Sequence, residues 1–320
     1  MSQVENLYNL STAYAFVKAV VTPSIRPALI RCLRSIAGNF FLAQFRAAFL
    51  PGRIPVSRVD HPLDRRIPFA PQWIGVYLDF IKFWIRMLTF LMLRFGRRAF
   101  PATAEFLLCM GRLYAFAAEV YRQNLSTMER PLYLARARFL PLRLLDPHLM
   151  CVPSLHVMVA VFSYVKFEAM LGRLGDPEIY RGQVAQARRG ALAISRSVLF
   201  VKQHSVNCIG ASLYAVARFA PELFPRERAL DFCSCLFQEA GPSPLPWLDC
   251  IHVTEGPACN SGNCRKCPLA VPHTPLPPDD AAEIKAHIAA AYLGLADAGK
   301  TAKSWEEPIL SFLQKMPRVP

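Results

Sequence analysis

Cys151-Val152-Pro153-Ser154-Leu155-His156-Val157 and, further on, Ser195-Arg196-Ser197-Val198-Leu199-Phe200-Val201-Lys202-Gln203-His204 decide how this chain is read. Both lie within 149–210, and each sets a histidine beside small hydroxyl residues at the edge of an apolar run long enough for a helix. One imidazole that attacks phosphorus and a second that protonates a leaving oxygen suffice for phosphoryl transfer. Serine hydroxyls and Arg or Lys side chains supply the charge-assisted donors that a phosphate needs. The plainer reading, that each histidine is a satisfied core or interfacial residue, competes with this one.

Pro153-Ser154-Leu155-His156-Val157, followed after an apolar helix by Lys202-Gln203-His204, resembles the type 2 phosphatidic acid phosphatase superfamily. The likeness is to its branch of inositolphosphotransferases and inositol phosphorylceramide synthases, where PSLHV replaces PSGH. Upstream, Asp64-Arg65-Arg66-Ile67-Pro68-Phe69-Ala70-Pro71, leading into residues 73–77, is similar to the D-x-x-I-P-F-x-P segment of that branch. The likeness covers roughly residues 60–220. It implies that His204 is the nucleophile, forming a phosphohistidine, and that His156 protonates the leaving alkoxide and then activates water or an acceptor hydroxyl. Ser154, Ser197 and Arg130 would hold the phosphate oxygens, and the reaction would need no metal.

Two positions depart from the family pattern. The aspartate expected four residues after the nucleophile is Cys208, and the arginine expected six residues before it is Val198. Arg196 lies about 200° from that arginine position on a helix, so Lys202 is the closer replacement for the charge. In a serine-protease triad, loss of the orienting carboxylate lowers turnover by roughly 10⁴. A lapsed member of the family, acting as a membrane scaffold or binding protein, is therefore the rival to an enzyme. An inositol or other alcohol phosphotransferase is the alternative to a phosphatase.

The 320 residues are 53% hydrophobic and 19% charged, with a mean hydropathy of +0.23. Residues 1–220 carry 28 Lys and Arg against 11 Asp and Glu, whereas residues 221–320 carry 9 against 12. The basic excess thus belongs to the apolar part. Its cations are interleaved with Leu, Phe and Trp, which disfavours nucleic acid and favours membrane lipids and a phosphorylated lipid substrate. No secretory signal is legible in the first 25 residues, where Lys18 interrupts the apolar run.

Along the chain, residues 1–35 read as an interfacial helix and residues 35–50 as a first span, broken by Arg46. In 73–95, Asp79, Lys82 and Arg86 fall within about 60° on a helix. In 99–121, Glu105, Arg112 and Glu119 form another narrow stripe. Such stripes suit a membrane bundle, although two buried helices of a soluble protein would show them as well. Residues 122–150 read as a basic loop with Arg130 as a phosphate ligand, or as an interfacial arginine among Arg136, Arg138 and Arg143. Residues 147–165 hold no Asp, Glu, Lys or Arg in 19 positions, the cleanest spanning signal. A basic loop at 166–189 follows, then spans at 190–200 and 206–219.

The expectation is an all-α integral membrane bundle of about six transmembrane helices. Residues 1–50 form an N-terminal region with the first span, 51–220 the phosphatase-like domain, and 221–320 a small tail. The positive-inside rule, applied to the basic loops at 94–98 and 166–189, places the histidines on the non-cytoplasmic side and the tail in the cytoplasm. In the tail, Cys250, Cys259, Cys264 and Cys267 have the spacing of metal ligands, with zinc as the candidate and free thiols as the alternative. Residues 279–295 and 304–315 read as helices. Nothing in the sequence fixes an oligomeric state.

Overall fold

The computed structural model describes residues 6–49, 52–133, 139, 147–175, 177–237, 274 and 276–319. The four tail cysteines lie outside them. Helices dominate: α1 (Thr12–Val21), α2 (Arg26–Ile36), α3 (Ala43–Phe49), α4 (Ile74–Leu78), α5 (Phe80–Phe95), α6 (Phe100–Tyr121) and α7 (Leu155–Leu174). They are followed by α8 (Arg181–Phe200), α9 (Val206–Phe219), α10 (Arg226–Cys235), α11 (Pro278–Ala298) and α12 (Glu307–Gln314). A π-helical segment, Ala37–Leu42, joins α2 to α3. The all-α expectation holds, with one small addition: β1 (Val56–Arg58) pairs in parallel with β2 (Leu125–Thr127).

Local chemistry sets several boundaries. Pro101 stands in the first turn of α6, where its missing N–H costs nothing. Gly96, at φ +56, closes α5 in a conformation that a side chain would disfavour. α8 ends where Lys202 turns into the left-handed region at φ +55, and the next two amides, Gln203 N and His204 N, both donate to the Val198 carbonyl. The carbonyls at the end of α8 are thus capped by the residues that deliver His204.

α7 is the one described helix long and apolar enough to cross a membrane by length and composition, and most of it is buried in the bundle. Of the other expected spans, 99–121 forms one unbroken helix, α6, and 190–200 the end of α8, neither of them apolar enough by that measure, while the rest are interrupted or short. Residues 35–50 divide between the end of α2, the π-helical segment and α3. Residues 73–95 break at Asp79, between α4 and α5. The supposed loop at 166–189 is largely helical, because α7 runs on to Leu174 and α8 starts at Arg181. Three of its five cations are in ion pairs: Lys166 and Arg173 both reach Glu105, and Arg188 reaches Asp231.

The two charged stripes also find partners, though not in each other. Arg86 holds Asp79 through two bonds of 2.6 and 3.0 Å, with both side chains buried. Glu119 accepts from the Trp305 indole at 2.5 Å.

The C-terminal helices pack against the rest of the described bundle. α11 packs lengthwise on α9, so closely that a Cβ at Gly210 would lie 2.8 Å from Ala291 Cβ and 3.0 Å from the Ile288 carbonyl oxygen. Its first turns face the Asp64 loop: Arg66 pairs with Asp280 and Glu283, and the His61 and His287 rings stack 4.0 Å apart. Thr274 accepts from the Trp73 indole at 2.8 Å. These contacts set the start of α11 beside the Asp64 loop. The acidic residues at the start of α11 are drawn to the basic loop beside the site.

Candidate active site

Three stretches meet around the histidine pair. The strand pair forms the first platform: Ser126 N donates to the Leu149 carbonyl at 2.9 Å, and Cys151 N donates to the Ser126 carbonyl at 3.1 Å. Val152 N donates to Ser126 Oγ at 2.8 Å. This fixes residues 149–152 immediately before α7, whose first turn carries His156. The second stretch is the α8–α9 turn with His204. The third is the loop with Asp64, followed by α4, which supplies Tyr77.

The His156 and His204 ring centroids lie 5.7 Å apart. His156 is held between Tyr77, stacked at 4.2 Å, and Phe80 at 4.1 Å. His204 Nδ1 stands 3.1 Å from the Cys151 carbonyl oxygen. A carbonyl only accepts, so Nδ1 carries the proton and the neutral ring keeps its lone pair on Nε2. The backbone thereby fixes the tautomer that the missing carboxylate at Cys208 would have set, although it adds no negative charge.

A third histidine, His148, braces the turn from behind, at φ +58. Its Nε2 donates to the Gln203 carbonyl at 2.7 Å, and its Nδ1 accepts from the Thr127 hydroxyl at 3.3 Å. The centroids of His148 and His204 are 6.4 Å apart. The sequence reading missed His148, Thr127 and Gln203. The short spacing from His148 to Cys151 was the one available signal.

Of the expected phosphate ligands, Arg130 and Lys202 join the site. Arg130 Nη1 donates to Gln203 Oε1 at 3.3 Å. Arg130 and Lys202 line one cleft of about 680 Å³ together with Asp64, Arg65 and Met128. The Lys202 ammonium donates to the backbone carbonyls of Asp64 and Ile67, pinning that loop. Burial pushes its pKa down, opposed by the nearby Asp64 charge. Neither His156 nor His204 is among the residues lining this cleft. Gln203 and its bond to Arg130 stand next to His204 in the chain, and the Gln203 side-chain nitrogen is buried without a hydrogen-bond partner among the described residues.

Ser154 is buried at the N-cap of α7, its hydroxyl likewise without a described partner, while its N–H donates to Ser212 Oγ at 2.7 Å. Ser197 is not turned to this use: its hydroxyl donates to the Ile194 carbonyl of its own helix at 2.7 Å, the common fate of a buried helical serine. Arg196 lies over the Trp73 ring at 5.6 Å, a cation–π contact that gives it a packing role.

Asp64 does not reach the His204 ring. Its carboxylate accepts from Val206 N and His61 N, both at 2.8 Å, which places its charge at the N-terminus of α9. Burial pushes its pKa up, against hydrogen bonds from Ser205, Val206 and His61 and the Lys202 charge. Among the described residues no group of three or more His, Cys, Asp or Glu side chains could hold a metal ion.

No family model, curated protein or solved structure matches the chain. Its chemistry is therefore argued from these residues and their geometry.

Proposed function

We propose that the chain is a membrane enzyme of phosphoryl transfer that acts on a phosphorylated lipid through a phosphohistidine on His204. The observation that carries this is the facing pair itself: His204 with its lone pair on Nε2, and His156 at 5.7 Å, clamped by two aromatic rings. In the first step the Nε2–phosphorus bond forms and the bond from phosphorus to the lipid alkoxide breaks, with protonated His156 giving its proton to that oxygen. In the second, water or an alcohol attacks phosphorus, His156 takes the attacking proton, and His204 is released. Ser154, the Gln203 side-chain nitrogen and Arg130 are donors suited to the phosphate oxygens.

The membrane part of the proposal is a bundle of about six crossings around α7. It is supported by the large apolar side chains exposed on α1–α3, among them Phe16, Val21, Leu42 and Phe49. The histidine face and the start of α11 lie on one side of that bundle.

The second reading, a lapsed site kept as a scaffold, is favoured by Cys208 and by the absence of both histidines from the wall of the Arg130 cleft. Phosphate release from a panel of phosphorylated lipids by detergent-purified protein, with EDTA present, separates the two. Release from wild type should vanish in His204→Ala and fall by about 10²–10⁴ in His156→Ala. No release, even with inositol or another alcohol added as acceptor, would leave the scaffold.

A further inference from the structure

A second cavity, of about 980 Å³, lies between the α3 region, the end of α6 and residues 318–319, and shares no lining residue with the Arg130 cleft. Its walls are apolar, with Leu42, Ile54, Leu125 and Met150 among them, yet four arginines converge on it from distant parts of the chain: Arg46, Arg53, Arg122 and Arg318. No Asp or Glu lines it.

The described hydrogen bonds of these arginines are to neutral groups. Arg122 Nη2 donates to Asn39 Oδ1 at 2.7 Å, and Arg318 Nη1 donates to Asn124 Oδ1 at 2.7 Å and Ser57 Oγ at 3.2 Å. By contrast, Arg66, Arg86, Arg173, Arg188, Arg226 and Arg228 each meet a carboxylate. Four like charges around one apolar space repel one another, and an anion placed among them relieves that repulsion.

We infer that this cavity binds a phosphate-headed lipid, its head among the four arginines and an acyl chain along the apolar wall. Guanidinium groups match phosphate oxygens in bidentate geometry. The volume suits a ligand of that kind. The π-helical segment that lines one side carries Phe41 and Leu42 exposed to the outside, and Phe49 of α3 is 79% exposed, so the approach is from an apolar environment. Tyr121 donates to the Pro153 carbonyl behind the segment that precedes His156, which puts the cavity at the back of the histidine site. The inference does not rest on catalysis by that site.

The test is a titration of protein in non-ionic detergent with a short-chain diacylglycerol phosphonate, whose carbon–phosphorus bond resists hydrolysis, read by melting temperature and by Kd. Saturable binding should weaken at least tenfold in Arg46→Gln/Arg53→Gln. It should weaken also in Ala43→Phe, which narrows the cavity without altering charge. The charge-matched pair Arg97→Gln/Arg181→Gln should leave Kd within twofold. Equal stabilisation by inorganic phosphate would overturn the lipid assignment in favour of a free-anion site. Equal weakening in the charge-matched pair would reduce the effect to surface charge. Unchanged Kd in Arg46→Gln/Arg53→Gln would move the ligand elsewhere.

Discussion

Cys208 is fully buried on α9, one helical turn past His204, and its surroundings explain why it need not be an aspartate. The Cys151 carbonyl already accepts from His204 Nδ1 and fixes the ring's tautomer. A carboxylate at 208 would be buried without a described cation to meet it. Cys208→Asp is therefore expected to lower stability by about 3 kcal/mol or more and to leave phosphate release no higher than wild type, measured by melting and turnover together. A rise in turnover would show that the missing charge, not the tautomer, limits the site. At this scale the histidine pair was legible, because side-chain type and the adjoining hydroxyls are written in the sequence. The acceptor on His204 was not, since any residue carries a carbonyl and only folding chooses which one arrives.

Between elements, α9 is closely registered against α11. Gly210 admits the α11 backbone, and a methyl group there would meet the Ile288 carbonyl, which cannot rotate away. Gly210→Ala should cost about 1–3 kcal/mol and make α11 more susceptible to limited proteolysis. The same contact carries a pH response. His287 Nε2 donates to Asn207 Oδ1 at 2.8 Å, and its pKa is pushed below its ordinary 6.5 by burial first and by the stacked His61 second. The folded state then binds this proton less readily than the unfolded chain. Stability from the neutral ring is full above pH 6.5 and is lost as pH falls toward the lowered value. Wild type should thus lose more melting temperature than His287→Gln on acidification from about pH 7 to about pH 5. The helical period of 279–295 announced α11, whereas its docking beside the site depends on Gly210 and on charges far apart in sequence.

At the scale of the whole molecule, α1–α3 carry several exposed large apolar side chains, with Phe16 51%, Val21 60% and Phe49 79% exposed. Replacing these three by serine should reduce the share of protein recovered in the membrane fraction on flotation; an unchanged share would place the lipid contact elsewhere. The sequence by itself determined the helical class, the apolar character of α7 and the residue types of the histidine site, because periodicity, composition and side-chain chemistry are local properties. Only the tertiary structure decided that Ser197 faces its own helix, that Asp64 caps α9, that His148 braces the turn and that the C-terminal helix shares a side with the site. Each of these is a choice of partner among groups distant in the chain, and it is made by close packing and by the cost of leaving buried polar groups unpaired.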